Sequence, residues 1–283
     1  MQTPSSGSRR AIFTVALVLA LAGCESAVFG LANRGTLPPA QTVVYSPENA
    51  LSLDVYRPAG PAARGAPVVV FFYGGSWRRG ARAQYRFVGS RLAGHGIIAI
   101  VADYRTFPRS TFPGFVEDGA AAVAWSHAHA ASLGGDPRRL YVAGHSAGAQ
   151  IAALLGTDAR YLRRHALQPA SLAGVIGLAG PYDFSITGRY REIFGPPERW
   201  PDAQAVNFVD GDEPPFLLVH GDADRVVALQ DSVELDGLLR TAGVASTLVV
   251  LPGAGHFAPA VGLFAPEREP AVLPAILDFI ATH

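Results

Sequence analysis

The chain has no lysine: all 23 of its basic residues are arginine. Chemistry that runs through a lysine amine, such as a Schiff base to a carbonyl substrate or to pyridoxal phosphate, is therefore excluded. Cysteine is nearly as scarce. Cys24 stands alone, so no intramolecular disulfide can form. There is no excess of charge either, because 23 basic residues face 23 acidic ones, and removal of Arg9 and Arg10 with a leader would leave 21 against 23, a net charge of −2. A polyanionic nucleic-acid partner is not indicated. Internal repeats and low-complexity tracts are missing as well. The apolar run from Ala11 to Ala22 is too short to span a bilayer as a mature helix.

That run, preceded by Arg9 and Arg10, has the layout of a secretory signal. It ends in LAGC, Leu21 to Cys24, which resembles the bacterial lipobox. A lipobox would make residues 1–23 a removable signal, Cys24 a lipidated N-terminus and residues 24–40 a tether, with the protein held in the cell envelope outside the cytoplasm. An ordinary signal peptide with an incidental cysteine would leave it secreted.

From residue 41 onward, strand-like and helix-like segments alternate. Thr42 to Ser46 and Leu51 to Arg57 read as antiparallel edge strands, and Pro67 to Tyr73 (PVVVFFY) as a strand buried on both faces. A helix is expected over Arg82 to Ala93, a strand over Ile97 to Ala102 and a helix over Phe115 to Ser132. After the strand Leu140 to Ala143 and the helix Ala149 to Leu155 come strands at Gly174 to Ala179 and Phe216 to His220. A helix at Leu229 to Ala242, a strand at Ser246 to Leu251 and a helix from Glu269 to Ala281 complete the series. Hydrophobic residues make up 49% of the chain, ample for one core. The pattern predicts an α/β fold: a mostly parallel, eight-stranded twisted sheet with helices on both faces, over residues 41–283. Residues 184–213, rich in Pro, Gly, Arg and aromatics, break the rhythm and read either as a small lid or as a surface loop.

LYVAGHSAGAQIAALLG, residues 140–156, places Ser146 where a strand meets a helix, between Gly144 and Gly148. A turn that sharp strains the residue at its apex and leaves no room for side chains on either flank. Ser146 then projects above the sheet, at the positive end of the following helix, as a nucleophile would.

A base and an acid should lie just after strands, because ligands of doubly wound sheets sit beyond the carboxyl ends of the strands. Of the eight histidines, His127 and His129 fall within a helix, His165 in a polar turn, His95 before a strand and His283 at the end of the sequence. His145 adjoins Ser146 and reads as shaping the turn. His220 is attached directly to its strand and reads as structural. His256, on the glycine loop LPGAGHF, can reach across the sheet and is the expected general base. Asp222 and Asp224 both qualify as the acid that orients it; Asp183, in GPYDF, is a weaker third.

With FFYGGSW, VADYRTFP, GGDPRRLYVAGHSAG, FLLVHGDADRVV and PGAGH in this order, residues 42–283 resemble the α/β-hydrolase superfamily. The similarity is to its small carboxylesterase and feruloyl-esterase-like (BD-FAE) branch, which also contains kynurenine formamidases and prenylcysteine methylesterases. The resemblance implies that Asp224 is the acid, through the pattern His-Gly-x-x-Asp-x-x-Val. It implies an oxyanion hole from the backbone N–H groups of Gly75, Ser76 and Ala147. It further implies a small-molecule ester substrate cleaved through an acyl-enzyme with no metal or organic cofactor, and the shortness of residues 184–213 predicts an accessible pocket that favours small or aryl-linked esters. Tyr73 departs from the family's usual His-Gly-Gly-x-Trp. Asp103 reads as a brace and Trp77 as packing. The alternatives are an arylformamidase-type amidase and a non-catalytic, lipid-anchored binding module.

Overall fold

The computed structural model describes residues 29–59 and 65–283. Signal residues 1–23 and Cys24 lie outside the described residues. Eight strands form one sheet: β1 (Gln41–Ser46), β2 (Leu51–Tyr56), β3 (Ala66–Phe72), β4 (Ile98–Ala102), β5 (Gly135–His145), β6 (Gly174–Leu178), β7 (Phe216–Gly221) and β8 (Ser246–Leu251). Their spatial order is β1-β2-β4-β3-β5-β6-β7-β8. β1 and β2, and β2 and β4, pair antiparallel, and the remaining neighbours are parallel. The central strands read VVVFF and IAIVA because helices cover both faces and every position is buried. This is the α/β-hydrolase architecture.

Chain order explains where a site can form. From β3 the chain crosses to β4 on one side and then returns to β5 on the other. Crossover connections therefore leave in opposite directions on either side of β3, which opens a crevice beyond its carboxyl end. The loop after β3 and the turn after β5 line that crevice.

The principal helices are α1 (Arg86–Gly94), α2 (Gly114–Leu133), α3 (Ala147–Thr157), α4 (Ala159–Arg163), α5 (Tyr190–Phe194), α6 (Leu229–Thr241), α7 (Ala258–Phe264) and α8 (Val272–Thr282). α2 ends on Gly134 in the left-handed conformation (φ 94°). Some segments differ from the sequence reading, among them the strand expected over Leu140 to Ala143, which runs from Gly135 to His145. The helix expected over Arg82 to Ala93 divides into a 3-10 turn at Arg82–Tyr85 followed by α1. The reason is Asn33, fifty residues earlier: its amide donates to the carbonyls of Ala83 and Gln84 and accepts from the N–H of Phe87, taking backbone groups a continuous helix would use. The last helix starts at Val272 rather than Glu269, because Pro270 disfavours helical geometry in the residue before it. α4 and α7 are short helices that the pattern did not resolve.

Residues 29–40 lie against the body. Residues 29–32 form a helical turn, the side chain of Asn33 is bound as above, and the N–H of Leu37 donates to Ser90 Oγ at 3.1 Å. Residues 184–213 fold into α5 and two 3-10 turns, Pro197–Ala203 and Ala205–Phe208. They pack by way of Phe184, Tyr190 and Phe194 on the ring of Trp77. Among the described residues no helix is long and apolar enough to cross a membrane.

Candidate active site

At the end of β5 the backbone turns through Ser146 (φ 55°, ψ −122°) straight into α3. A side chain on Gly144 would sit 2.2 Å from the backbone of Gly148, and one on Gly148 would sit 2.1 Å from the carbonyl of Phe72. Both positions are thus closed to any larger residue. The strained serine is held by its N–H, which donates to the Leu178 carbonyl at 2.9 Å, and by its own carbonyl, which accepts the first bonds of α3 from Ala149 and Gln150. α3 begins at Ala147, directly after Ser146, so the free N–H groups and positive end of the helix dipole adjoin the nucleophile turn.

His256 arrives from the loop after β8 and Asp224 from the turn after β7. His256 Nε2 lies 2.9 Å from Ser146 Oγ, and His256 Nδ1 lies 2.7 Å from Asp224 Oδ2. The imidazole is 7% exposed and the carboxylate is fully buried. Burial alone would raise the Asp224 carboxyl. Hydrogen bonds from the Val227 N–H, from His256 and from the Val226 N–H outweigh burial and hold it below the ordinary carboxylate range, so it stays ionised beside the ring.

The other acids do different work. Asp222 accepts the N–H of Gly253 at 2.6 Å and ties the turn after β7 to the loop after β8. Asp183 is exposed on the wall of a neighbouring cavity. His220 lies beneath the pair: its Nε2–H faces the Val227 carbonyl and Asp224 Oδ2, both at 3.2 Å, and its Nδ1 accepts from Ser232 Oγ at 2.7 Å. Burial lowers its pKa and keeps it neutral.

The loop after β3 carries three consecutive positive φ angles, at Gly75 (142°), Ser76 (53°) and Trp77 (56°). Gly75 has no room for a side chain, since a Cβ there would meet the Arg79 carbonyl at 2.0 Å. Where the family usually has histidine, Tyr73 stacks on Tyr104 with ring centroids 4.5 Å apart. The Tyr104 hydroxyl donates to the Tyr73 carbonyl at 2.7 Å, so a tyrosine pair carries the base of the loop. Asp103 accepts the N–H of Arg82 and pairs with its guanidinium. Trp77 Nε1 donates to Gln150 Oε1 at 3.1 Å, and Gln150 Nε2 donates to the Ala203 carbonyl at 2.9 Å, which binds the loop to the segment above it.

Two cavities meet at Ser146. One, about 240 Å³, is lined by His256, Phe257, Phe29, Tyr85, Arg79 and Arg189. The other, about 530 Å³, is lined by Trp77, Phe184 and Tyr190 together with Asp231 and Glu234. Among the described residues no group of three His, Cys, Asp or Glu side chains is arranged to hold a metal ion. Sequence reasoning passed over Phe29, Tyr85 and Gln150. Nothing in the local pattern marks them: Phe29 and Tyr85 reach the site from segments distant in the chain, and Gln150, four residues after Ser146, is tied to it through Trp77 and Ala203.

The arrangement is a hydrogen-bonded line of acid, base and alcohol at the carboxyl end of the sheet. The family model described as BD-FAE matches residues 53–239. Esterase LipC of Mycobacterium tuberculosis is 33% identical over 235 residues, which cover 76% of this chain and 58% of that protein. The isoprenylcysteine alpha-carbonyl methylesterase ICME of Arabidopsis thaliana is 30% identical over 243 residues, covering 76% and 56%. The chain thus spans somewhat more than half the length of these curated relatives. Among solved structures, the propionate-bound thermophilic esterase Est2 of Thermogutta terrifontis superposes with a TM-score of 0.70 at 27% identity, covering 83% of this chain and 94% of that one. Esterase 2 of the same species, phosphoramylated by tabun, gives 0.71 at 28% identity with the same coverage.

Proposed function

The chain belongs to the BD-FAE family of the α/β-hydrolases, and from that premise we propose that it is a serine carboxylic-ester hydrolase working through an acyl-enzyme. The observation that carries the reading is the unbroken line Asp224–His256–Ser146, with 2.7 Å and 2.9 Å between partners, at the mouth of the crevice beside β3. His256 takes the Ser146 proton as Oγ attacks the ester carbonyl. Asp224 stabilises the imidazolium. The N–H groups of Gly75, Ser76 and Ala147 receive the oxyanion, where one such donor contributes about 3 to 4 kcal/mol in related chemistry. Collapse of the tetrahedral intermediate breaks the ester bond, and His256 returns its proton to the departing alkoxide. Water, activated by the same ring, then releases the acid.

Proton return assigns the two cavities. A leaving alcohol must depart within reach of His256 Nε2, which lines the smaller cavity, so the acyl group takes the larger, aromatic-walled one. Relatives support small esters: the Thermogutta esterase was captured with propionate and with butyrate, and the plant relative is named for a methyl ester. Its modification by tabun and sarin supports a nucleophile that takes electrophilic phosphorus.

The test is hydrolysis of short-chain p-nitrophenyl esters together with labelling by a fluorophosphonate. Ser146→Ala should lower kcat by about 10⁴-fold or more and abolish labelling with the fold intact. Turnover at the unsubstituted rate would overturn the proposal. The same reading holds the enzyme outside the cytoplasm on a lipidated Cys24. Incorporation of a fatty-acid analogue in cells, lost in Cys24→Ser, is the expected result; an unlabelled protein would mean it is secreted unanchored.

A further inference from the structure

Tyr85 takes no part in the line from Asp224 to Ser146, yet it touches both halves of the site. Its hydroxyl accepts the N–H of Gly74 at 3.3 Å, immediately before the oxyanion loop, and lies 3.2 Å from His145 Nδ1. On the far side of that ring, His145 Nε2 lies 3.1 Å from the backbone carbonyl of His256.

The proton positions along this chain follow from the acceptors. A carbonyl can only accept, so Nε2 of His145 carries the ring hydrogen. Burial and the neighbouring His256 push the His145 pKa down to about 3, and the ring is neutral with a bare Nδ1. Only the Tyr85 hydroxyl can then donate to it. The result is a one-directional series: Gly74 N–H to Tyr85 Oη, Tyr85 O–H to His145 Nδ1, His145 Nε2–H to the His256 carbonyl. Both side chains are buried, Tyr85 at 2% and His145 at 1% exposure.

Tyr85 is itself clamped from the N-terminal side. Asn33 binds the carbonyls of Ala83 and Gln84 and the N–H of Phe87, so its three bonds bracket Tyr85 in sequence. The ring of Phe29 packs on the ring of Tyr85 with centroids 5.2 Å apart. Residues 29–33 are thus one end of the series and the backbone of the general base is the other.

We propose that Tyr85 and His145 are positioning residues that set the distance between the oxyanion loop and His256, and that Asn33 and Phe29 fix Tyr85 in place. This rests on the reading of Ser146, His256 and the loop N–H groups as the reacting machinery. The donors of an oxyanion hole act only if they meet the intermediate at about 3 Å while the base still reaches the attacking hydroxyl, so a strut between the two loops bears on the transition state and hardly on substrate binding.

Tyr85→Phe keeps the ring and removes the hydroxyl; His145→Gln keeps a donor toward the His256 carbonyl and removes the acceptor toward Tyr85. Each cuts the same bond from opposite sides. Steady-state kinetics on a p-nitrophenyl ester, normalised to active sites titrated with a fluorophosphonate, should show kcat about ten-fold lower in each, with KM within two-fold of the unsubstituted enzyme. The double variant should be no slower than the slower single one. Asn33→Ala should show the same kcat-only loss at smaller size. An unchanged kcat in Tyr85→Phe, losses that multiply in the double variant, or losses confined to KM would overturn the proposal. An unsubstituted enzyme with neither turnover nor labelling would instead sink the hydrolase reading on which it stands.

Discussion

The last residues of β7 and the loop after β8 each place a histidine at the carboxyl end of the sheet, and the two end up with opposite duties. His220 is the penultimate residue of β7. With no slack behind it, the ring stays in the body of the protein, fully buried, and spends both nitrogens on Ser232 and on the Val227–Asp224 turn. His256 comes five residues after β8 ends, past Gly253 and Gly255, and that length carries its ring over the top of Asp224 to Ser146. One carboxylate oxygen serves both: Asp224 Oδ2 accepts from Nδ1 of His256 at 2.7 Å and faces Nε2 of His220 at 3.2 Å. Chemistry here depends less on which residue follows a strand than on how much chain separates the two.

The contrast can be broken most sharply at the shared carboxylate. Asp224→Asn should reduce kcat by about 10³- to 10⁴-fold, because the amide can hold the wrong tautomer of His256 and leave Nε2 unable to accept the serine proton. His220→Gln, which touches the same turn from below, should cost less than ten-fold in kcat. Equal losses from the two would erase the distinction drawn between them. A smaller effect sharpens it for a third histidine. His145 is buried neutral, with a folded-state pKa near 3 against an ordinary value of 6.5. Between these values the unfolded chain binds a proton that the folded protein refuses, so stability contributed by the neutral ring is whole above about pH 6.5 and drains away on acidification, by up to about 1.4 kcal/mol per pH unit. Chemical denaturation at pH 7 and pH 5 should therefore show His145→Gln losing less stability than the unsubstituted protein over that interval. Parallel losses would show that the ring takes up its proton without cost.

Much of this was legible in the residues themselves. The Gly-x-Ser-x-Gly turn announced its own geometry, since Gly144 and Gly148 are demanded by atoms within a few residues and by the neighbouring strand. Continuous apolar runs gave the central strands, and strand ends narrowed eight histidines to two. The acid was different. Asp222 and Asp224 sit in one turn with like exposure to any pattern, and only the resemblance to known sequences, and then the geometry, separated the residue that bonds Gly253 from the one that bonds His256. What stayed hidden was everything made by long-range pairing. The break before α1 is caused by Asn33, and no window around residues 82–94 contains it. Tyr85 and Gln150 carry hydrogen bonds across the site, yet in sequence one is a tyrosine on a helix face and the other a polar residue in an alanine-rich helix.

Gln150 has a consequence for how substrate arrives. Its amide is fully buried and divided between the indole of Trp77 below and the Ala203 carbonyl above, while Gln204 exchanges two bonds with the backbone of Phe184. Swinging residues 184–208 outward would break the Gln150–Ala203 bond and lift Phe184, Tyr190 and Phe194 off the ring of Trp77, while the Gln204–Phe184 bonds, made within the segment, hold its two ends together. The cover over the crevice is therefore tied to the loop after β3 through Trp77 and to α3 through Gln150. On the proposed function, an ester would meet an acyl pocket whose aromatic wall of Trp77, Phe184 and Tyr190 is built jointly by that loop and the cover, so a change in either one reshapes the same pocket.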